Sequence, residues 1–141
     1  KQATIVETGN LAGMEFDCGD REKALQLIRR AVAILRTQNG GDENVHSQVF
    51  RYELADMLVK MGRYEEALGA LQGLKAELLT AGDTTPGWQH RLDAMRGEIL
   101  IARGEYDAGR KLLGPALQAL IEMDTEESSE ITRLRGLLAV K

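Results

Sequence analysis

The sequence predicts an all-α fold: a row of antiparallel helical hairpins, about seven helices in all. Three observations predict it. Short glycine-led segments recur along the chain at a nearly constant spacing. The stretches after them place apolar residues at offsets of 0, 4, 7 and 11, one stripe of an α-helix. Aromatic residues make up only 4% of the 141 residues, so small and aliphatic side chains do the packing, which suits close-approaching helices better than a β-sandwich.

The first helix is expected at about residues 3–17. It contains Gly9 and Gly13, each costing about 1 kcal/mol against alanine, which makes it the weakest of the set. The first glycine-led segment follows, Gly19-Asp20-Arg21-Glu22-Lys23-Ala24, and opens a second helix at about 21–38 with the stripe Ala24, Ile28, Ala31, Leu35. After loop residues 39–45, which hold Gly40-Gly41-Asp42, a third helix is expected at 46–61.

Gly62-Arg63-Tyr64-Glu65-Glu66-Ala67 then opens a fourth helix at 64–80, striped by Ala67, Leu71, Leu74 and Leu78. The loop 81–86 carries Gly82-Asp83 and Pro86, and a fifth helix follows at 87–103. Gly104-Glu105-Tyr106-Asp107-Ala108-Gly109 opens a sixth at 106–123, striped by Gly109, Leu113, Ala116 and Leu120. Pro115 lies within that helix, removes the hydrogen bond to the Lys111 carbonyl and should kink it. A last helix is expected at 127–140, and no segment reads as a strand.

The three glycines lie 43 and 42 residues apart. Each ends one apolar run, where a helix terminus wants φ > 0 and glycine adopts it without a Cβ penalty. The acidic residues after each glycine suit a first helical turn, where the helix dipole favours negative charge. Seven residues ahead of each glycine stand Leu11-Ala12, Leu54-Ala55 and Arg96-Gly97, with a fourth copy at Arg135-Gly136. The repeats are therefore 3–38, 46–80 and 87–123, with a half-repeat at 127–140, read as a single domain over 1–141. The start at Lys1 and the stop at Lys141 within the apolar pattern of Leu134, Leu137 and Leu138 suggest a piece of a longer protein.

With these copies in place, the chain resembles the tetratricopeptide repeat family. The family's small residue of the first helix corresponds to Ala12, Ala55 and Gly97. Its aromatic after the glycine corresponds to Arg21, Tyr64 and Tyr106, and its small residue of the second helix to Ala24, Ala67 and Gly109. The large residue that follows is Ile28, Leu71 and Leu113, and the next small one is Ala31, Leu74 and Ala116. Arg21, Leu74 and Arg96 depart from the pattern. The period exceeds the standard repeat of about 34 residues. It is similar to the longer variety found in kinesin light chain, whose loop resembles Gly41-Asp42-Glu43-Asn44-Val45 and Gly82-Asp83-Thr84-Thr85-Pro86, and whose start resembles Gly9-Asn10-Leu11-Ala12. The resemblance implies a right-handed superhelix, an α-solenoid, whose work is to bind other proteins on its concave face. It also allows an origin in a bacterial multidomain regulator.

Composition narrows the function classes. Apolar residues are 43% and charged residues 28%, a soluble globular mix. A net charge of −4 argues against a nucleic-acid surface, which needs a basic face. No apolar run approaches the roughly 20 residues that span a bilayer, and no signal-peptide pattern opens the chain. The single cysteine, Cys18, cannot form an internal disulfide, which fits a reducing, cytoplasmic compartment.

No catalytic set emerges, and no cofactor, metal site or enzymatic activity is expected. His46 and His90 fall in corresponding inter-repeat loops, but no cysteine pair or carboxylate spacing supports a metal site there, and exposed loop histidines are the ordinary reading. Cys18 beside Gly19 reads as a structural cysteine rather than a low-pKa thiol. Phosphate-binding glycine loops and Gly-x-Ser-x-Gly elbows are absent. Glu126, Glu127 and Glu130 form an acidic cluster that a helix dipole explains.

The resemblance places ligand contacts on the first helix of each hairpin. Carried over, they are Asn10, Gly13 and Asp17; Tyr52, Glu53, Asp56 and Lys60; and Arg91, Met95 and Glu98, all expected to be exposed. Together they describe a mildly acidic groove for an extended or helical partner segment with basic and apolar residues. The ordinary alternative is a solvated polar face. The lysine, arginine and asparagine clamp with which some members hold an acidic chain terminus is missing: Gly9, Gly13 and Glu53 stand at its positions. Leu134, Leu137 and Leu138 give the last helix an apolar face, to be covered by the preceding hairpin, by continuing chain or by a second copy in a homodimer. Two further readings are a regulatory or spacer segment of a larger kinase or transcription regulator acting on its own chain, and an enzyme that assembles His46, His90 or Cys18 around an added ligand.

Overall fold

The computed structural model describes residues 16, 19–37, 45–82, 87–123 and 129–138. Among them lie seven helices and no strand: α1 (Arg21–Arg36), α2 (Val45–Lys60), α3 (Tyr64–Leu71), α4 (Ala76–Gly82), α5 (Trp88–Ala102), α6 (Tyr106–Met123) and α7 (Ser129–Leu138). They pack in sequential pairs, consistent with a tetratricopeptide-like array. The chain divides into two compact units, residues 1–83 and 84–141.

In the first unit, α2 is the central helix and packs against α1, α3 and α4. Asp20 caps α1 by accepting a hydrogen bond from the Lys23 amide at 3.1 Å. The α1 stripe is buried as its spacing requires: Ala24, Ile28 and Ala31 are fully enclosed and Leu35 nearly so. Arg21, which stands where the family has an aromatic, lies over the ring of buried Phe16, 4.6 Å from its centroid. The expected helix at 3–17 otherwise falls outside the described residues, as do Cys18 and the loop residues 38–44 and 83–86.

The glycine turns take a definite form. Gly62 has φ +77°; its amide donates to the Val59 carbonyl at 3.0 Å and the Arg63 amide to the Leu58 carbonyl at 2.8 Å. Gly104, at φ +88°, repeats this with Gly104 to Ile101 at 3.0 Å and Glu105 to Leu100 at 2.9 Å. Both are Schellman closures, which satisfy the last carbonyls of one helix while turning the chain into the next.

One expected helix is broken. The stretch 64–80 forms two helices, α3 and α4, separated at Gln72–Lys75, with Gln72 extended and Gly73 at φ +79°. Two polar side chains from α2 hold the break. The Gln48 amide donates to the Gly73 carbonyl at 3.1 Å and its oxygen accepts from the Lys75 amide at 2.8 Å. The Arg51 guanidinium donates to the Gln72 carbonyl. Gln48 and Arg51 are both buried, so these bonds replace water that the loop backbone would otherwise need.

In the second unit, α5 and α6 cross so closely that a Cβ on Gly97 would stand 2.8 Å from the Gly109 carbonyl oxygen. Ala94, Ile101, Leu113, Ala116, Leu117, Leu120 and Leu134 form its core, with Ile121, Leu137 and Leu138 packed against them. Burying each leucine contributes about 1.5–3 kcal/mol. The apolar face of α7 thus rests on the preceding hairpin. α6 runs through Pro115 without ending, and Pro115 is exposed, so the carbonyl it leaves unbonded lies on the helix's wetter side.

Candidate functional site

The α2 residues carried over as partner contacts occupy one side of that helix. At 100° per residue, Tyr52, Glu53, Asp56 and Lys60 span about a quarter of its circumference. Tyr52, Glu53 and Asp56 are half-buried and Lys60 is exposed, whereas Phe50, Ala55, Met57, Leu58 and Val59 are buried around them. Asp56 and Lys60 form an (i, i+4) ion pair at 3.0 Å, which holds two of the stripe's three charges against each other.

The corresponding side of α5 is different. Arg91 is half-buried, but Met95 is 6% exposed and Glu98 7% exposed, so the expectation that these two are surface residues is corrected. Glu98 accepts from both terminal nitrogens of Arg133 on α7, at 2.5 and 2.9 Å. Such a fork binds a carboxylate strongly. α7 therefore uses the α5 position that sequence reasoning gave to a partner. The wetter side of α5 carries exposed Gln89 and half-buried Asp93, joined by a 3.0 Å hydrogen bond, together with half-buried Arg96. Asn10, Gly13 and Asp17 lie outside the described residues.

The histidines are not loop residues: His46 and His90 fall in the first turns of α2 and α5. Among the described residues no group of three His, Cys, Asp or Glu side chains is placed to hold a metal ion. Of the acidic cluster, Glu126 and Glu127 are outside the described residues.

A charge network that sequence reasoning missed ties α1 to α3 and to the turn before it. Arg63 donates to both oxygens of Glu66, at 2.6 and 3.0 Å, and to Glu22 at 3.1 Å, while Arg29 reaches Glu66 at 3.0 Å. The hydrogen bond from Arg63 holds the Glu66 carboxyl below the usual carboxylate range, against desolvation and with help from Arg29. The same bond raises the Arg63 guanidinium above its ordinary value. The signal was present in the sequence: an arginine and two acids follow Gly62, and Glu22 occupies the equivalent turn after Gly19.

Comparison with known families matches a tetratricopeptide repeat over residues 8–42. Curated proteins and solved structures give no match. Among the described residues no helix is long and apolar enough to cross a membrane. A repeat of this kind points in general to protein–protein interaction and is typically non-catalytic. Residues 8–42 are thus similar to a tetratricopeptide repeat, over about a quarter of the chain.

Proposed function

We propose that the chain is a protein-interaction module that binds a segment of another protein on its concave face, with no catalysis of its own. The observation that carries this reading is the partly accessible side of α2 that brings Tyr52, Glu53, Asp56 and Lys60 together. By repeat position, Asn10 and Asp17 correspond to this set, and Arg91 holds the corresponding place on α5 of the second unit. Two acids beside an aromatic ring favour a segment with basic and apolar residues. Packed hairpins present such a surface already formed, so the receptor loses little conformational entropy on binding.

The test compares capture of proteins by the natural chain and by Glu53→Lys/Asp56→Lys, with the fold of each checked by circular dichroism. Partners recovered by the natural chain and lost by the folded variant support the α2 face. Equal recovery by both removes that face from the account. Recovery by neither, with binding restored to a separately supplied effector domain of the same protein, favours a regulatory segment acting on its own chain.

A further inference from the structure

A pocket of about 270 Å³ opens between α1, α2 and α3. It lies on the side of α2 opposite Tyr52 and Asp56, because its α2 lining residues, Arg51 and Leu54, sit well over 100° around the helix from the centre of that stripe. Three arginines line it: Arg29 and Arg36 from α1 and Arg51 from α2. Its other walls are aliphatic, including Val32, Leu54 and Ala70, and among the described residues no acidic side chain lines it. This gathering of cations occurs in a chain of net charge −4.

The arginines differ in exposure. Arg51 is 5% exposed and anchored to the Gln72 carbonyl at the α3–α4 break. Arg29 pairs with Glu66 at 3.0 Å, with both side chains 45% exposed, and such exposed pairs exchange at little cost. Arg36 is exposed in the last turn of α1. Guanidinium forks match carboxylates in planar geometry. The volume is just below the roughly 300–1,000 Å³ of sites for drug-sized ligands, so it suits one or two side chains. Aliphatic walls beside the cations suit a group that carries hydrocarbon next to its charge.

We propose that this pocket is a second binding site, for a short acidic peptide segment. An aliphatic side chain of the segment seats against Val32, Leu54 and Ala70, and a neighbouring carboxylate meets Arg36 and Arg29. The site is independent of the α2 face described above, and either can stand without the other.

The experiment titrates the full 141-residue chain, labelled with ¹⁵N, with the blocked peptide acetyl-Glu-Leu-Glu-Leu-amide. Backbone and arginine Nε signals are followed by NMR. The proposal expects saturable shifts at Arg29, Val32, Arg36, Arg51 and Leu54, and binding weakened about tenfold or more by Arg36→Glu or Arg29→Gln. Lys111→Glu on α6, the same charge change as Arg36→Glu, leaves the affinity within twofold. Shifts centred elsewhere, equal weakening by Lys111→Glu, equal binding of acetyl-Gln-Leu-Gln-Leu-amide, or the same shifts at the same affinity from inorganic phosphate would each overturn it.

Discussion

Replacing Gly109 by alanine tests the crossing of α5 and α6 directly. A Cβ at this position would lie 2.6 Å from Ile101 Cγ1, 2.8 Å from the Gly97 carbonyl oxygen and 2.9 Å from the Ile101 amide nitrogen. Two of those three atoms are backbone, so rotamer changes cannot relieve the overlap and the helices must separate. Separation loosens Leu113 and Ile101, both buried at the crossing. Overpacking of this kind costs about 1–3 kcal/mol, and obstruction by backbone places the cost near the upper end. Alanine returns about 1 kcal/mol of helix propensity. The net expectation is a loss of about 2 kcal/mol. Gly136→Ala on α7 makes the same chemical change with nothing within 4 Å and should gain up to about 1 kcal/mol. Trp88, the sole tryptophan, is 6% exposed and lies in the same unit, so its fluorescence during urea unfolding reads both variants. If Gly109→Ala is as stable as the natural chain or more so, the close crossing is wrong.

Four further outcomes follow from the same reasoning. Gly73→Ala should destabilise the first unit by about 1–2 kcal/mol, because alanine resists φ +79°; a continuous helix at 64–80 would instead be stabilised, and chemical denaturation gives the sign. Gln48→Ala should cost about 1–3 kcal/mol by leaving the Gly73 carbonyl and Lys75 amide without their partner, and hydrogen exchange at Lys75 should quicken selectively. Glu98→Gln should cost about 1–3 kcal/mol in a urea melt, and a double-mutant cycle with Arg133→Met should show the two losses to be non-additive.

The Glu66 carboxyl gives a pH dependence of known sign. Its folded-state pKa is depressed, so the stability it contributes is present above its unfolded value near 4.5 and is lost as pH falls through the lower folded value. Glu66→Gln should therefore be less stable than the natural chain at pH 7, and the gap should close on acidification below pH 4.5; a gap unchanged down to pH 2 would contradict the network.

Much of the fold was legible because it is local. Gly62 and Gly104 each follow an apolar run and precede acidic residues, and a glycine there takes the positive φ of a Schellman turn without a Cβ penalty. Gly73 was equally visible but stood inside an apolar stripe that ran on through Leu74 and Leu78. That stripe does not distinguish one helix from two: Leu74 is buried in the break, and Leu79, not Leu78, is the fully enclosed residue of α4. What breaks the helix is Gln48 and Arg51, more than twenty residues upstream, and no local pattern reports a hydrogen bond across that distance. The exposure of the candidate residues was legible in the same unequal way. The positions carried over from the family resemblance fall on one partly accessible side of α2 at Tyr52, Glu53, Asp56 and Lys60, but the same positions on α5 are buried at Met95 and Glu98. There the next helix supplies Arg133 and covers the position, an event set by tertiary packing rather than by repeat period.

The central claim is that the Tyr52 side of α2 meets a protein partner. The most direct measurement replaces half-buried Tyr52 by the photo-crosslinking amino acid benzoylphenylalanine, with exposed Arg30 on α1 replaced likewise as the comparison. Irradiation with the captured partner should yield a covalent adduct from position 52 and little from position 30. Adducts from position 30 alone, or equal yields from both while the partner remains bound, would contradict the claim.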